Sequence, residues 1–181
     1  MQNPRLLLLL PLLAFAQPAT AQMENFTTGP VFEDFGSTAP VQQDEPVAAD
    51  ATFKIAFDAN KEAEPGKINR TIESAARFIN MQVKAGVKAE NIELAIVVHG
   101  GASFDLTNQE FFAAHKDGRK NASAAAIAQL QQHGVTFYLC GQSAAAHGIT
   151  NADLLPGVKM SLSAMTAHAL LQQQGYSLNP F

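Results

Sequence analysis

Cys140 closes the apolar run Val135-Thr136-Phe137-Tyr138-Leu139 and is followed at once by Gly141-Gln142-Ser143. A second apolar run, Ile92 to Val98, ends the same way, in His99-Gly100-Gly101. Two strands that each stop at a reactive side chain followed by glycine place a thiol and an imidazole on one shared rim. The chemistry open to such a pair is nucleophilic. An imidazole serves as base when neutral, and when protonated it favours the thiolate, the reactive form of cysteine. A helix starting after Ser143 would aim its positive end at Cys140 and favour the same anion. Cys140 is the only cysteine of the chain, so no intrachain disulfide forms. The thiol is then buried and inert, paired between chains, or kept for chemistry.

These residues need strands to position them, and the sequence supplies the pattern. Phe53-Lys54-Ile55-Ala56-Phe57-Asp58 reads as a first strand. Pro65-Gly66 opens a segment with apolar residues Ile68, Ile72, Ala76, Ile79 and Val83, a helical stripe that Gly86 ends. Ile92 to Val98, nearly all Ile, Leu and Val, is a strand covered on both faces, as in a parallel sheet. Helices are expected over 108–115 and 122–133, with Val135–Leu139 as the third strand and Val158–Leu162 as the fourth. A last helix starts at Ser163 or Thr166, and Tyr176-Ser177-Leu178 adds a final short strand. This alternation predicts a mostly parallel sheet with helices on both faces.

In such sheets ligands bind beyond the carboxyl ends of the strands. Those ends carry Asp58-Ala59-Asn60, His99-Gly100-Gly101, Cys140-Gly141-Gln142-Ser143 and Ser161 to Ser163. The candidate site is therefore Cys140 and His99 as reactive groups, with Asn60, Gly100, Gly101, Gly141, Gln142 and Ser143 as ligand-binding neighbours. His115, His133, His147 and His168 read as solvated surface residues. No spacing suits a metal, since neither CxxC nor HxxxH occurs, and no glycine-rich phosphate loop is present. No cofactor is expected.

The flanking sequence and the bulk properties set the context. Arg5, the apolar stretch Leu6 to Ala16 and Ala19-Thr20-Ala21 read as a signal peptide over residues 1–21, cut before Gln22. The stretch is too short for the ~20 residues that span a bilayer. The expectation is an exported, periplasmic protein with no membrane anchor. Residues 22–51 are rich in Pro, Gly, Ala and acids, a spacer's composition, yet they hold Val31, Phe32 and Phe35, which a free linker does not need. They lie on the domain or on a neighbouring subunit, and Phe104, Phe111 and Phe112 are further candidates for an interface. A net charge of −4 gives no electrostatic case for nucleic acid.

Several motifs in this order resemble the exported branch of the DsrE/DsrF-like family. They are Val97-Val98-His99-Gly100-Gly101, Leu139-Cys140-Gly141-Gln142-Ser143, Asp153-Leu154-Leu155-Pro156-Gly157-Val158 and Leu171-Gln172-Gln173-Gln174-Gly175-Tyr176. Asn69-Arg70 and Ala75-Ala76-Arg77-Phe78 also fit, and the resemblance covers residues 52–181. It implies a flavodoxin-like three-layer α/β/α domain that assembles into trimers or hexamers. It further implies a persulfide carrier or sulfurtransferase using Cys140, served by a sulfur-donor or sulfur-acceptor protein. The competing reading is a non-catalytic oligomer that binds a small ligand at the His99 and Cys140 rim.

Overall fold

The computed structural model describes residues 23–180; the signal-peptide reading of residues 1–21 lies outside them. Five strands form one parallel sheet: β1 (Phe53–Ala59), β2 (Ile92–Val98), β3 (Thr136–Cys140), β4 (Lys159–Ser161) and β5 (Ser177–Asn179). Their spatial order is β4-β3-β2-β1-β5. The helices are α1 (Arg70–Lys84), α2 (Gln109–His115), α3 (Ala124–Gln132), α4 (Gly141–His147) and α5 (Ala164–Gln173). A 3₁₀ run, Gly100–Leu106, leaves β2. Among the described residues no helix is long and apolar enough to cross a membrane.

Right-handed crossovers fix which face each helix takes. The chain steps from β1 through β2 and β3 to the β4 edge, then returns to the far edge as β5, so α5 lies on the face opposite to α1. The cores agree. On one face Phe57, Leu94, Ile96, Phe137 and Leu139 pack with Ile72, Ile79, Ile127 and Leu130 of α1 and α3. On the other, Ala56, Ala95 and Val97 pack with Ala167 and Leu171 of α5. The second core is thin because its strand residues are small, which lets α5 lie close to the sheet.

The N-terminal segment is part of the domain. Phe32 and Phe35 are buried in the larger core, where Phe32 also meets the ring of His133 edge-on at 5.0 Å. Asn80, fully buried on α1, ties the segment down. Its Oδ1 accepts from the N–H groups of Val31 (3.0 Å) and Phe32 (2.9 Å), and its Nδ2 donates to the carbonyls of Phe32, Phe35 and Gly36. Gly36 has φ +69°, and a Cβ there would stand 2.7–2.9 Å from the backbone and Ala76 Cβ of α1, so only glycine fits. Phe32, Phe35 and Phe112 are thus spent on the chain's own interior and do not form the interface that the sequence allowed for them.

Element boundaries moved in places for local reasons. Asn69 caps α1, its Oδ1 accepting from Thr71 N, so the helix opens there and not at Pro65-Gly66. The fourth strand shrinks to three residues because only Lys159, Met160 and Ser161 pair with β3.

Candidate functional site

Parity along the strands decides which side chains share a face. Ala56, Ala95 and Val97 point toward α5, and so does Tyr138. Two residues further along each strand come Asp58, His99 and Cys140. Val98 pairs with Leu139 in register, so His99 and Cys140 are the next positions on neighbouring strands. The expected common rim is present as a backbone arrangement, on the face that α5 covers.

Cys140 lies at a switch point of the sheet. The chain leaves β3 into α4, whose Ala144 enters the larger core, while β4 leads into α5 on the opposite face. Helices that depart to opposite faces open a crevice between their parent strands, the usual ligand position in this architecture. Cys140 is the N-cap of α4 and pairs with Ser161 of β4. Gly141 is required there: a Cβ would stand 2.5 Å from the Ser161 carbonyl oxygen.

Cys140 is 6% exposed and makes no regular capping hydrogen bond, but donors from both helices act on its sulfur. Burial, the largest single influence, pushes the thiol up. Against it work the N–H and hydroxyl of Ser143 and the N–H groups of Ala164 and Gln142, and the net result lies below the ordinary cysteine value. Converging donors favour the anion. Ser143 Oγ also accepts from the Gly100 N–H at 3.0 Å, and His147 Nε2 lies 3.2 Å from the Gly100 carbonyl oxygen. The hydroxyl that faces the sulfur is therefore polarised by a second donor behind it.

His99 makes no contact of this kind with Cys140. Its Nε2 lies 3.1 Å and 3.2 Å from the two carboxylate oxygens of Asp58, and His168 Nε2 lies 2.8 Å from Asp58 Oδ1. His168 is thus a partly buried member of the site and not the solvated residue expected, and His147 is bound to the backbone at the site's edge. The signal was available: His168 follows Ala164 by four and precedes Leu171 by three, which puts it on the inner face of α5. Asp58 was visible at a strand end, but nothing in the sequence tied it to either imidazole.

The other candidates separate into two groups. Gly100, Gly141, Ser143 and the Gln142 backbone surround Cys140, with the Gln142 side chain donating outward to the Leu162 carbonyl at 3.2 Å. Asn60 follows β1, and Gly101, in the run that leaves β2, lies against Asn60 and Glu62. The Asn60 carbonyl lies against Gly100 and Gly101, and Asn60 lines a cleft of about 750 Å³ together with Asp58, Lys61 and Arg70. Among the described residues no group of three or more His, Cys, Asp or Glu side chains is placed to hold a metal ion.

The sequence model of the DsrE/DsrF-like family matches residues 53–180. The chain belongs to this family. A comparison with curated proteins finds no match. Two solved structures share the fold. One is a protein of unknown function, MTH1491, from Methanobacterium thermoautotrophicum, with TM-score 0.54 and 18% identity over 71% of this chain and 99% of that one. The other is the ychN protein of E. coli, with TM-score 0.53 and 18% identity over 72% of this chain and all of that one. Together they establish the α/β fold. The family match begins where β1 begins, so the segment that Asn80 clamps precedes the shared domain.

Proposed function

We propose that this DsrE/DsrF-like protein is a sulfur carrier that holds sulfane sulfur on Cys140 as a persulfide. The carrying observation is the convergence on one sulfur of donors from the starts of α4 and α5. A persulfide is an anion at neutral pH, and the same donors suit it. In the loading step the thiol proton passes to a base, and the thiolate attacks the outer sulfur of a donor R–S–SH. The Cys140 S–S bond forms, the donor's S–S bond breaks, and RS⁻ leaves with the electron pair and takes up the proton. No net oxidant is needed. With Cys140 buried, at 6% residue exposure, a slender donor suits the site: a small-molecule persulfide or one at the tip of a partner protein.

Export to the periplasm, argued from residues 1–21, belongs to this proposal, as does assembly into a trimer or hexamer. Leu162 and Met165, 73% and 80% exposed, flank the α5 start beside Cys140 and suit a second copy. Light scattering after size exclusion at micromolar concentration should read three or six subunits; a monomer removes assembly from the proposal.

Intact-mass analysis after exposure to a persulfide donor tests the carrier role. One added sulfur atom is expected in the wild type and none in Cys140→Ala; a gain that persists in the variant overturns it. Alkylation of Cys140 followed against pH should give a midpoint below the unperturbed ~8.5. The second reading, a small-ligand module, is favoured by the 750 Å³ cleft at Asp58 and Asn60. It predicts ligand-dependent thermal stabilisation that survives Cys140→Ser.

A further inference from the structure

We propose that Asp58 is the positioning residue of this site, fixing His99 with its proton on Nε2 so that Nδ1 is the atom that takes the thiol proton of Cys140. The proposal rests on the sulfur-carrier reading for its chemistry, but its geometry is independent of that reading.

An ionised carboxylate only accepts hydrogen bonds. Both imidazoles approach Asp58 through Nε2, so both rings must donate from that atom. In the neutral ring the lone pair then lies on Nδ1. The two remaining nitrogens differ in access. His168 Nδ1 is sealed from solvent and has no partner, so nothing can deliver a proton to it or remove one. The His99 side chain is 31% exposed, and among the described residues its Nδ1 has no hydrogen-bond partner. Of two imidazoles on one carboxylate, only His99 offers an open base.

His168 has the other task. It reaches Asp58 from α5, the helix whose first amide, that of Ala164, faces the sulfur. Asp58 therefore joins three parts: the end of β1, the imidazole that follows β2, and the helix that follows β4. Lys61, Arg70, Glu62 and Glu73 line the cleft on its outer side, and among the described residues only the two imidazoles hydrogen-bond its carboxylate. His99 and Cys140 follow a register pair on adjacent strands, whose backbones run ~4.8 Å apart, and with no direct hydrogen bond between the two side chains the proposed transfer runs through one bridging water. In the step the Cys140 S–H bond breaks and a His99 Nδ1–H bond forms, while the Nε2 proton stays on the Asp58 bond. The imidazolium then gives the Nδ1 proton to the departing RS⁻.

The test has two arms. Nitrogen-15 NMR of the histidines in the wild-type protein should show His99 protonated on Nε2 and bare on Nδ1. In Asp58→Asn, whose amide no longer demands a donor, that preference should relax toward a mixture. Glutathione persulfide then serves as the probe for sulfur uptake. His99→Gln should slow uptake by about 100-fold, the scale of a general base. Asp58→Asn should lose much of the same factor, and the double variant should be no slower than His99→Gln alone. A wild-type His99 that carries its proton on Nδ1, or rate losses that multiply in the double variant, overturns the proposal. If the wild type takes up no sulfur, the carrier reading fails, and the NMR arm still decides the role of Asp58. That arm needs no substitution in the wild type, so a variant that fails to fold does not block it.

Discussion

Replacing Asn80 by alanine is expected to cost about 3–6 kcal/mol, because each buried polar group left unpaired costs about 1–3 kcal/mol. The Val31 and Phe32 N–H groups and the carbonyls of Phe35 and Gly36 depend on this one amide, while the Phe32 carbonyl also accepts from the Gly29 N–H at 2.7 Å. If residues 27–38 lift away to reach water instead, Phe32 and Phe35 leave the core, and a buried phenylalanine is worth roughly 1.5–3 kcal/mol. Leaving the groups buried and unpaired costs more than releasing the two rings, so the cheaper release, about 3–6 kcal/mol for two phenylalanines, sets the expected loss. Met81, one residue further on but 44% exposed, provides the contrast: Met81→Ala should change stability by less than about 0.5 kcal/mol. Urea unfolding of the two variants, with limited proteolysis around residue 36, checks both statements. An Asn80→Ala protein with an unchanged midpoint and an uncut N-terminal segment would show that Asn80 is not the clamp.

The second large effect lies in Asp105 and depends on pH. Asp105 is 1% exposed in the 3₁₀ run that follows the His99-Gly100 turn. Its Oδ2 accepts from Asn69 Nδ2 at 2.6 Å and from the Ala63 N–H at 3.3 Å, while Oδ1 is buried without a partner. Burial, reinforced by the charge of Glu62, outweighs those donors and Lys116 and pushes its carboxyl up to about 6. In the unfolded chain an aspartate titrates near ~3.9. The folded state therefore prefers the protonated form. That contribution is complete below about pH 4, is lost as pH rises through about 6, and stays lost above it. Two pKa units correspond to about 3 kcal/mol. Relative to the wild type, Asp105→Asn should gain about that much stability between pH 4 and pH 7, measured by urea unfolding of both proteins at each pH. A gap that does not change with pH would place the ionisation elsewhere.

The legible part of this protein is what repeats. Ile92 to Val98 and Val135 to Leu139 are apolar runs that only a covered sheet can use, and both strands fall there, with Cys140 as the last residue of β3 and not the first beyond it. The stripe from Ile68 to Val83 gave the first helix, though the cap at Asn69 set its true start. The run from Gly100 to Leu106 has no period to read, because a 3₁₀ segment held by Asn60 and Asp105 does not depend on an apolar stripe. Asp58 and His168 were invisible as a pair for another reason. They stand 110 residues apart, and their contact exists only because α5 returns across the sheet to the far edge. The thiol announced itself by being the only one; the carboxylate that arranges its surroundings did not.

A helix linking two parallel strands runs against them, so the last turn of α1 stands at the end of the sheet where the strands begin. Lys84 in that turn holds the carbonyl and hydroxyl of Thr27 and the hydroxyl of Thr38. Thr27 is thus held at the rear of the molecule, at the opposite end of the sheet from the Cys140 rim. A tether or fused protein attached at Thr27 would leave the Cys140 rim facing outward, and a surface holding the protein there would present that rim to the solution.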